Sequence, residues 1–169
     1  RARHAAVLVG AGTVNADDPE LTCRLPGMTG RSPVRVILEG HRGLSMSAKV
    51  VTTAKEIPTW ILTTDSSDPD HRADMESQGV EVHVVASDAD GHPDLKTCLE
   101  VLGVKGITRL MVEGGGTIAA AFLRSGFVDR LMWARGAKML GGDGLAAVGE
   151  LGLGAVDGAP TFRRTETMT

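Results

Sequence analysis

A glycine-rich turn beside a carboxylate is the clearest chemical feature of the sequence. Glu113 is followed by three glycines and then by an alanine-rich segment, 117–124, that predicts a helix. Bare backbone N–H groups at a helix N-terminus are a ready site for an anion such as a phosphate. Glu113 also ends a predicted strand, where open α/β sheets place their ligand contacts. The stretch predicts an anion cradle beside a carboxylate, and a tight strand-to-helix turn is the competing interpretation.

A second polar stretch, 13–24, contains Asp17-Asp18-Pro19 and ends on Arg24. Two consecutive aspartates in a turn cannot both face one ligand. We therefore expect one to cap backbone N–H groups and the other to point into a cleft. Arg24 keeps its charge and can grip an anion with two parallel donors. An Asx turn beside a solvated arginine is the alternative for this loop.

The segment from Gly10 to Asn15 invites comparison with the dinucleotide-binding fingerprint, and Glu39 ends the next strand like a ribose-binding acid. Asn15, however, stands where the third glycine belongs. Pro19 would limit a helix after Gly12 to about one turn. The ordinary dinucleotide-binding fold is therefore rejected.

The surrounding elements predict an α/β fold. Helix candidates with start and stop signals occupy 69–78, 93–103 and 117–124, between apolar runs typical of buried strands. This alternation predicts one domain with a mixed, mostly parallel sheet flanked by helices. The glycine-rich stretch 136–160, including Lys138 to Asp143, is predicted to be a functional or mobile loop, as is 13–32. The six strand candidates are 5–10, 33–38, 58–64, 80–86, 107–113 and 128–134.

Composition excludes several classes of function. The 169 residues are 42% hydrophobic and 23% charged, with a formal net charge of −3. These values are typical of a globular protein and give no drive toward nucleic acid or an anionic membrane. There is no run of about 20 apolar residues, and we expect a cytoplasmic protein. The two cysteines and five histidines lack the spacing of a metal site, so no metal is assigned.

Taken together, the motifs resemble a known family: the reductase domain of the bifunctional riboflavin-biosynthesis deaminase-reductase, whose fold is like that of dihydrofolate reductase. The resemblance covers nearly the whole chain, 1–169. Two weak motifs, ADDP-x-LT-x-R and VEGGGT, become specific when they occur together in the right strand context. The matching stretches are VLVGAGTVNADDPELTCRLPG, SPVRVILEG, PTWILTT, LMVEGGGTIAAAFLRSGFVDRL and KMLGGDG.

The resemblance implies an oxidoreductase that uses NADPH to reduce 5-amino-6-(5-phosphoribosylamino)uracil to its ribitylamino product. Hydride would pass to the ribose C1′ of a phosphorylated pyrimidine. Such enzymes are typically homo-oligomers. Asp17 and Glu113 are the implied catalytic residues, and the implied substrate contacts are Arg1, Leu21, Arg24 and Glu113. The implied cofactor contacts are Thr13, Asp17, Gly40, Gly115, Gly116, Thr117, Ile118, Ala119, Ala120 and Ala121.

The chain departs from the family in identifiable places. The family has Asp followed by Ser or Thr after the second strand, where this chain has Glu39-Gly40. An earlier strand, with a Ser and a Trp that contact substrate and cofactor, would precede Arg1, and a last strand would follow Thr169. We therefore expect the reductase domain to be incomplete at both ends. The zinc-binding elements of the deaminase half do not occur in this sequence.

Two other functions remain open. The same fold could reduce a pterin or another small carbonyl compound, because fold alone does not fix chemistry. Arg24 argues against this alternative, since it has little purpose without a substrate phosphate. The other alternative is a non-catalytic fragment that binds a nucleotide or serves in oligomerisation.

Overall fold

A computed structural model of the protein describes residues 1–138 and 144–167. The chain forms two compact units, Arg1–Gly115 and Gly116–Thr169. Apart from Lys138, the glycine-pair loop predicted at 138–143 lies outside the described residues. The assignment of 1–169 to one reductase domain, incomplete at both ends, stays a prediction.

A five-stranded sheet organises the first unit, and all of its neighbouring strands pair in parallel. The mostly parallel α/β sheet expected from the sequence is therefore confirmed, with five of the six predicted strands in it. The spatial order is β4-β3-β2-β1-β5. The strands are β1 (Ala6–Gly10), β2 (Val34–Leu38), β3 (Thr59–Thr63), β4 (Glu81–Val84) and β5 (Leu110–Val112).

One face of this sheet carries the main core of the first unit. Alternate side chains of a strand point to one face, so β1, β2 and β3 each contribute one or two residues to the cluster, and Val82 of β4 packs against it. Helices α1 (Ala11–Asp17), α2 (Lys49–Thr52) and α3 (Pro69–Ser77) add their apolar side chains. The buried cluster includes Val7, Val9, Ile37 and Ile61 from the strands and Val14, Val50, Val51 and Met75 from the helices.

The predicted helices between strands are present, with small shifts at their ends. Asp68 caps α3 by accepting a hydrogen bond from the backbone N–H of Asp70 at 3.0 Å. The next helix, α4 (Leu95–Val104), is capped by Asp94, whereas the sequence had placed its start signal at 90–93. Gly103 lies inside α4, because the last turn continues to Val104 before the chain leaves the helix.

The cap of α4 gives a testable prediction. The Asp94 carboxylate accepts hydrogen bonds from the backbone N–H and the hydroxyl of Thr97, both at 2.8 Å. Asp94→Ala should lower the free energy of unfolding at neutral pH by about 1 kcal/mol, measured by urea denaturation. Asp68→Ala is the matched cap variant at α3.

The effect at Asp94 should also depend on pH. The hydrogen bond from the backbone of Thr97 is the main reason that the pKa of Asp94 is lowered in the folded protein. The cap is therefore fully stabilising above the pKa of an unfolded aspartate, about 3.9, and is lost as the pH falls through the lower folded value. A wild-type advantage that grew on acidification would contradict this account.

Helix α1 corrects the sequence-based view of residues 13–32. The segment was predicted to be a loop, with any helix limited to about one turn, but α1 has seven residues. It begins directly after β1 and ends before Pro19, where Asp18 adopts a left-handed conformation with φ of 40°. Pro19 ends the helix as expected, yet Ala11 to Asp17 is long enough to form before that proline is reached.

The second unit begins with α5 (Gly116–Arg124), as predicted, and a glycine with positive φ, Gly126, follows it. The strand predicted at 128–134 is wrong. No described residue pairs with this segment, and Leu131, Met132 and Trp133 are 46%, 73% and 58% exposed. An apolar run becomes a strand only when another backbone supplies its hydrogen bonds. Among the described residues, no helix is long and apolar enough to cross a membrane.

Candidate active site at the switch point of the sheet

The strand order places a crevice at one position of the sheet. The chain runs from β1 outward through β2, β3 and β4, and then returns to place β5 on the other side of β1. Loops leaving the carboxyl ends of β1 and β5 therefore diverge, and open α/β sheets bind ligands at such a switch point. The residues after these two strands are α1 and the stretch Glu113–Gly115.

The glycine turn after β5 packs closely against β1 and α1. The Glu113 N–H donates to the carbonyl of Leu8 at 3.0 Å, which extends the pairing of β5 with β1. A Cβ on Gly114 would lie 3.0 Å from Val9, and one on Gly115 would lie 3.0 Å from the Thr13 hydroxyl. Gly115 also has φ of 69°, which a side chain rarely tolerates. Glycine is thus required for this turn to reach Thr13.

Arg1 and Glu113 are direct partners. The Arg1 Nε donates to Glu113 Oε1 at 2.7 Å, and Nη2 donates to Oε2 at 2.5 Å. The third guanidinium nitrogen, Nη1, donates to the carbonyl of Thr22 at 3.0 Å. The hydrogen bonds to Glu113 are the main reason that the pKa of Arg1 is raised. Two predicted substrate contacts are therefore brought together, with side chains only 23% and 21% exposed.

The other two predicted substrate contacts differ sharply in exposure. Arg24 is exposed and lines an open cleft of about 330 Å³ together with Arg1, Thr22 and Cys23. Leu21 is 2% exposed and belongs to the core, so its side chain is not available at the surface. Its φ of 57° is unusual for a leucine and turns the backbone sharply toward Thr22 and the cleft.

One of the two aspartates, Asp18, has the capping role predicted for the pair. Asp18 Oδ1 accepts a hydrogen bond from the backbone N–H of Lys49, the first residue of α2, at 2.8 Å. Its Oδ2 lies 3.4 Å from the Lys49 ammonium. Asp17 is exposed at the end of α1, and no other described residue bonds its carboxylate. The ligand-facing role predicted for Asp17 stays a prediction.

The loop after β2 is held by contacts of Glu39 and Asn15 that the sequence did not predict. Glu39, 1% exposed, accepts a hydrogen bond from the backbone N–H of Leu44 at 2.8 Å. Asn15 of α1 bonds the carbonyl of Gly43 and the N–H of Ser45, at 3.0 and 3.2 Å. A carboxylate before a glycine and a polar residue in the loop's partner helix were the only sequence signals for these contacts.

Two histidines, His41 and His92, lie near Gly40, where the sequence differs from the family pattern. A Cβ on Gly40 would lie only 2.6 Å from His92 Nδ1, so the imidazole occupies the space of a side chain. The ring of His92 contacts His41 at a centroid distance of 4.9 Å, and His41 Nε2 donates to the carbonyl of Asp90 at 3.1 Å. The sequence showed only scattered histidines, because the loops that carry them meet only in the folded sheet.

This packing makes a second prediction. Gly40→Ser should push the His92 ring away and lower the free energy of unfolding by about 1 kcal/mol, since an exposed ring can move at modest cost. In a Gly40→Ser/His92→Ala double variant the clash is absent, so the penalty of the serine should vanish. Urea denaturation of the four proteins of the cycle measures the coupling. An equal serine penalty with and without His92 would show that the two residues do not compete for space.

The remaining predicted cofactor contacts lie in the second unit, on α5. Gly116, Thr117, Ile118, Ala119 and Ala121 are exposed or partly exposed, whereas Ala120 is buried and could offer only its backbone. Within this unit the carbonyl of Gly116 accepts a hydrogen bond from the N–H of Gly149 at 2.8 Å. Arg124 donates to the carbonyl of Glu150 at 2.5 Å, so segment 149–150 contacts both ends of the helix.

The fold and these residues define an α/β protein in which a carboxylate and a glycine turn meet at the carboxyl edge of a parallel sheet. Comparison with known sequences identifies the family to which this protein belongs. The family profile of the RibD C-terminal domain matches residues 1–168, and the chain belongs to that family. The resemblance to the reductase domain is thereby confirmed.

Curated relatives include RibD proteins and a shorter reductase. The chain is 37% identical over 142 residues to riboflavin biosynthesis protein RibD of Bacillus amyloliquefaciens, covering 84% of the chain and 37% of the relative. It is 35% identical over 143 residues to the 2,5-diamino-6-ribosylamino-4(3H)-pyrimidinone 5′-phosphate reductase of Aquifex aeolicus, covering 85% and 61%. The chain thus spans only about two fifths of the length of the RibD relatives.

Solved structures show the same fold. Acinetobacter baumannii RibD matches with a TM-score of 0.60 and 27% identity over 75% of this chain and 33% of that one. A diaminohydroxyphosphoribosylaminopyrimidine deaminase/5-amino-6-(5-phosphoribosylamino)uracil reductase from Thermotoga maritima matches with a TM-score of 0.55 and 33% identity, covering 74% and 32%. The dihydrofolate-reductase-like architecture predicted through the resemblance agrees with these matches.

Proposed function

We propose that this chain catalyses the NADPH-dependent reduction of 5-amino-6-(5-phosphoribosylamino)uracil to 5-amino-6-(5-phosphoribitylamino)uracil in riboflavin biosynthesis. The names of its relatives support a reductase of a phosphorylated pyrimidine. The structural observation that carries the proposal is the position of Glu113 and its glycine turn. They lie beside Thr13 at the switch point of the sheet, where a ligand of this size is expected.

The donors at this edge fit a nicotinamide dinucleotide. Gly115 is exposed and Thr13 is partly exposed, so a bare N–H and a hydroxyl lie side by side for pyrophosphate oxygens. Asp17, about one turn further along α1, is assigned to the same cofactor. Arg42, an exposed residue two positions after Gly40, supplies positive charge that would favour NADPH over NADH.

When bound, the nicotinamide supplies the hydride, and the protein's task is to orient the substrate and exclude water. The reduction adds the hydride to the ribose C1′ of the opened sugar and a proton to the attached nitrogen. In this proposal Arg24 neutralises the substrate phosphate at the rim of the cleft. Glu113 accepts hydrogen bonds from the pyrimidine or from the opened sugar. Leu21 shapes the cleft through its backbone.

The setting of the enzyme is part of the same proposal. We expect a cytoplasmic homo-oligomer that takes a small phosphorylated substrate rather than nucleic acid or a membrane. An edge strand such as β4, which lies at one end of the sheet, gives a physical motive for association. Sedimentation of the purified protein would measure the oligomeric state.

Substrate-dependent loss of nicotinamide absorbance tests the proposed function. The purified protein should oxidise NADPH faster with the phosphorylated uracil than with its dephosphorylated form, and faster than it oxidises NADH. The corresponding pyrimidinone, named for the Aquifex relative, is the competing substrate in the same assay. Equal turnover with and without the phosphate would contradict the assigned phosphate site. NADPH binding without turnover of either substrate would favour a nucleotide-binding module instead.

A further inference from the structure

The segment that follows β2, residues 40–44, is called the β2 loop here. It carries Gly40 and Arg42, both assigned to the cofactor, so its conformation matters for cofactor binding. Helix α1 holds one side of it, because the amide of Asn15 donates to the carbonyl of Gly43 at 3.0 Å. The support on the other side comes from β2 and α3.

The buried carboxylate of Glu39 supports the β2 loop but is short of donors. Glu39 is 1% exposed, and its Oε1 accepts a hydrogen bond from the N–H of Leu44 at 2.8 Å. Its Oε2 is buried and has no hydrogen-bond partner among the described residues. Burying a carboxylate costs free energy unless the group is both paired and hydrogen-bonded. A second donor is therefore expected beside Glu39.

The imidazole of His71 is in place to be that donor. Its Nε2 lies 3.6 Å from Glu39 Oε1, and in the described part of the chain no other basic side chain pairs with this carboxylate. Nε2 is itself buried, without a hydrogen-bond partner in residues 1–138 and 144–167. A Cβ on Gly43 would lie 3.7 Å from the same atom, so the tip of the ring also packs against the β2 loop. With a proton on Nε2, a small rotation of the ring brings the two groups within hydrogen-bond distance.

Helix α3 is a firm support for His71, which lies in its first turn. The Asp68 cap starts the helix, and Arg72 donates to the carbonyl and the hydroxyl of Ser67 at 2.6 and 2.8 Å. Met75, 0% exposed, anchors the helix in the core. The backbone of His71 is therefore fixed, and its side-chain rotation decides how the ring meets the carboxylate.

We propose that His71 is a positioning residue for cofactor binding: through the Glu39 carboxylate it holds the β2 loop in the conformation that receives the nicotinamide dinucleotide. This inference rests on the proposed function, which supplies the cofactor. Without His71 the carboxylate keeps one donor, and the β2 loop populates other conformations. The apparent affinity for the cofactor then falls with the fraction of loop that can bind it. Hydride transfer, which the proposed function places at the switch point, does not involve His71.

Amide hydrogen exchange tests the contact without any ligand. The N–H of Leu44 should be protected in the wild type, and its protection should fall about tenfold in His71→Phe, which keeps a ring and removes the donor. The N–H of Thr97, bonded to Asp94 at 2.8 Å at the start of α4, is the internal reference and should keep its protection. Equal protection of Leu44 in the two proteins, or an equal loss at Thr97, would overturn the inference.

Cofactor binding is the second readout. Calorimetric titration with NADPH should show affinity weakened about fivefold in His71→Phe, because less of the β2 loop is in the binding conformation. The KM for NADPH should rise to match, while kcat at saturating NADPH stays within about twofold of wild type. A fall in kcat with unchanged NADPH affinity would contradict the positioning role, as would an affinity equal to that of wild type.

Three further variants separate the hydrogen bond from packing. His71→Gln keeps an amide donor and should restore Leu44 protection and NADPH affinity to within about twofold of wild type. Glu39→Asp shortens the side chain by one methylene, so adding His71→Phe to it should cost nothing further. His83→Phe is the matched control and should change neither readout, because His83 pairs with Glu81 at 3.2 Å on β4, two strands away from β2. No rescue by glutamine, or additive losses at Glu39 and His71, would refute the role of the pair.

The two proposals can fail separately. A wild-type protein that binds NADPH but oxidises none with any of the pyrimidines defeats the proposed function, and the titrations still decide whether His71 sets cofactor affinity. A wild-type protein that binds no NADPH defeats both the proposed function and the cofactor role of His71. Thermal melting of each variant, compared with wild type, shows whether its fold is retained, and the comparison of wild type with His71→Gln serves if His71→Phe does not fold.

Discussion

Replacing Glu113 with glutamine should lower kcat by about a hundredfold or more, within the range found for residues that act directly on a reacting group. Glutamine has nearly the same shape, so the turn against Val9 and Thr13 should remain. It carries no charge, however, and one end of its amide is a donor that cannot face Arg1. The variant therefore loses both the acceptor offered to the substrate and the two-point pair with Arg1.

The control for this variant is Glu56→Gln, because Glu56 is exposed in the same unit and makes no described side-chain contact. Its kcat should stay within about twofold of wild type, as expected for a surface change away from the site. Steady-state kinetics with both variants, together with thermal melting, separate a chemical effect from a folding defect. A folded Glu113→Gln protein with wild-type turnover would remove Glu113 from the site.

The largest effect on stability is expected at Arg35, which is 1% exposed on β2. Its guanidinium donates to the hydroxyls of Thr53 and Thr59 at 2.8 and 2.9 Å. It also donates to the carbonyls of Val50, Thr53 and Ile57 at 3.1, 3.2 and 2.8 Å. No carboxylate is among these partners. Burial lowers the pKa of Arg35 to about 10, so the group is still charged at neutral pH.

Arg35→Leu should lower the free energy of unfolding by about 3–5 kcal/mol, the cost typical of breaking a buried polar network from one side. Leucine relieves the burial of a charge, which is a gain. It removes the hydrogen bonds from the guanidinium, and the Thr59 hydroxyl alone then remains to donate to the carbonyls of Val50 and Ile57. Because that hydroxyl has one proton, one of the two carbonyls is left without a donor, and an orphaned buried group costs about 1–3 kcal/mol. The loss exceeds the gain because several acceptors converge on one side chain.

Urea denaturation measures this effect, with Arg31→Leu as the exposed control that should change stability by less than about 0.5 kcal/mol. Arg35→Lys should fall between the two, since its ammonium keeps the charge but cannot reach acceptors on both sides. A leucine variant as stable as wild type would show that the network contributes no net stability. That outcome is known for some buried ionic groups.

Local patterns predicted most of the sheet and the helices that follow it. The apolar runs bounded by glycine or proline became β1 to β5, and Asp68 with Pro69 marked the start of α3. Segment 128–134 has the same apolar character, yet its described residues form no strand. The difference is a backbone partner, which a pattern along one segment cannot supply.

Individual residues of the candidate site could be predicted from the sequence, but the contacts between them could not. The glycine turn and Glu113 could be identified from the sequence because their residues are consecutive in the chain. The pairing of Arg1 with Glu113, by contrast, joins residues 112 positions apart. His92 fills the space beside Gly40 from a loop two strands further along the sheet. Such contacts depend on which strands are neighbours in the sheet. Residue types alone therefore predicted the candidate residues but not the contacts between them.

Transfer of a label from cofactor to product tests the proposed reductase activity most directly. Two preparations of NADPH, each carrying deuterium on one face of the nicotinamide C4, would be incubated with the protein and the phosphorylated uracil. Mass spectrometry of the ribitylamino product should show one deuterium, at C1′, from one of the two preparations and none from the other. A ribitylamino product without deuterium from either preparation, or no such product, would contradict hydride transfer by this chain.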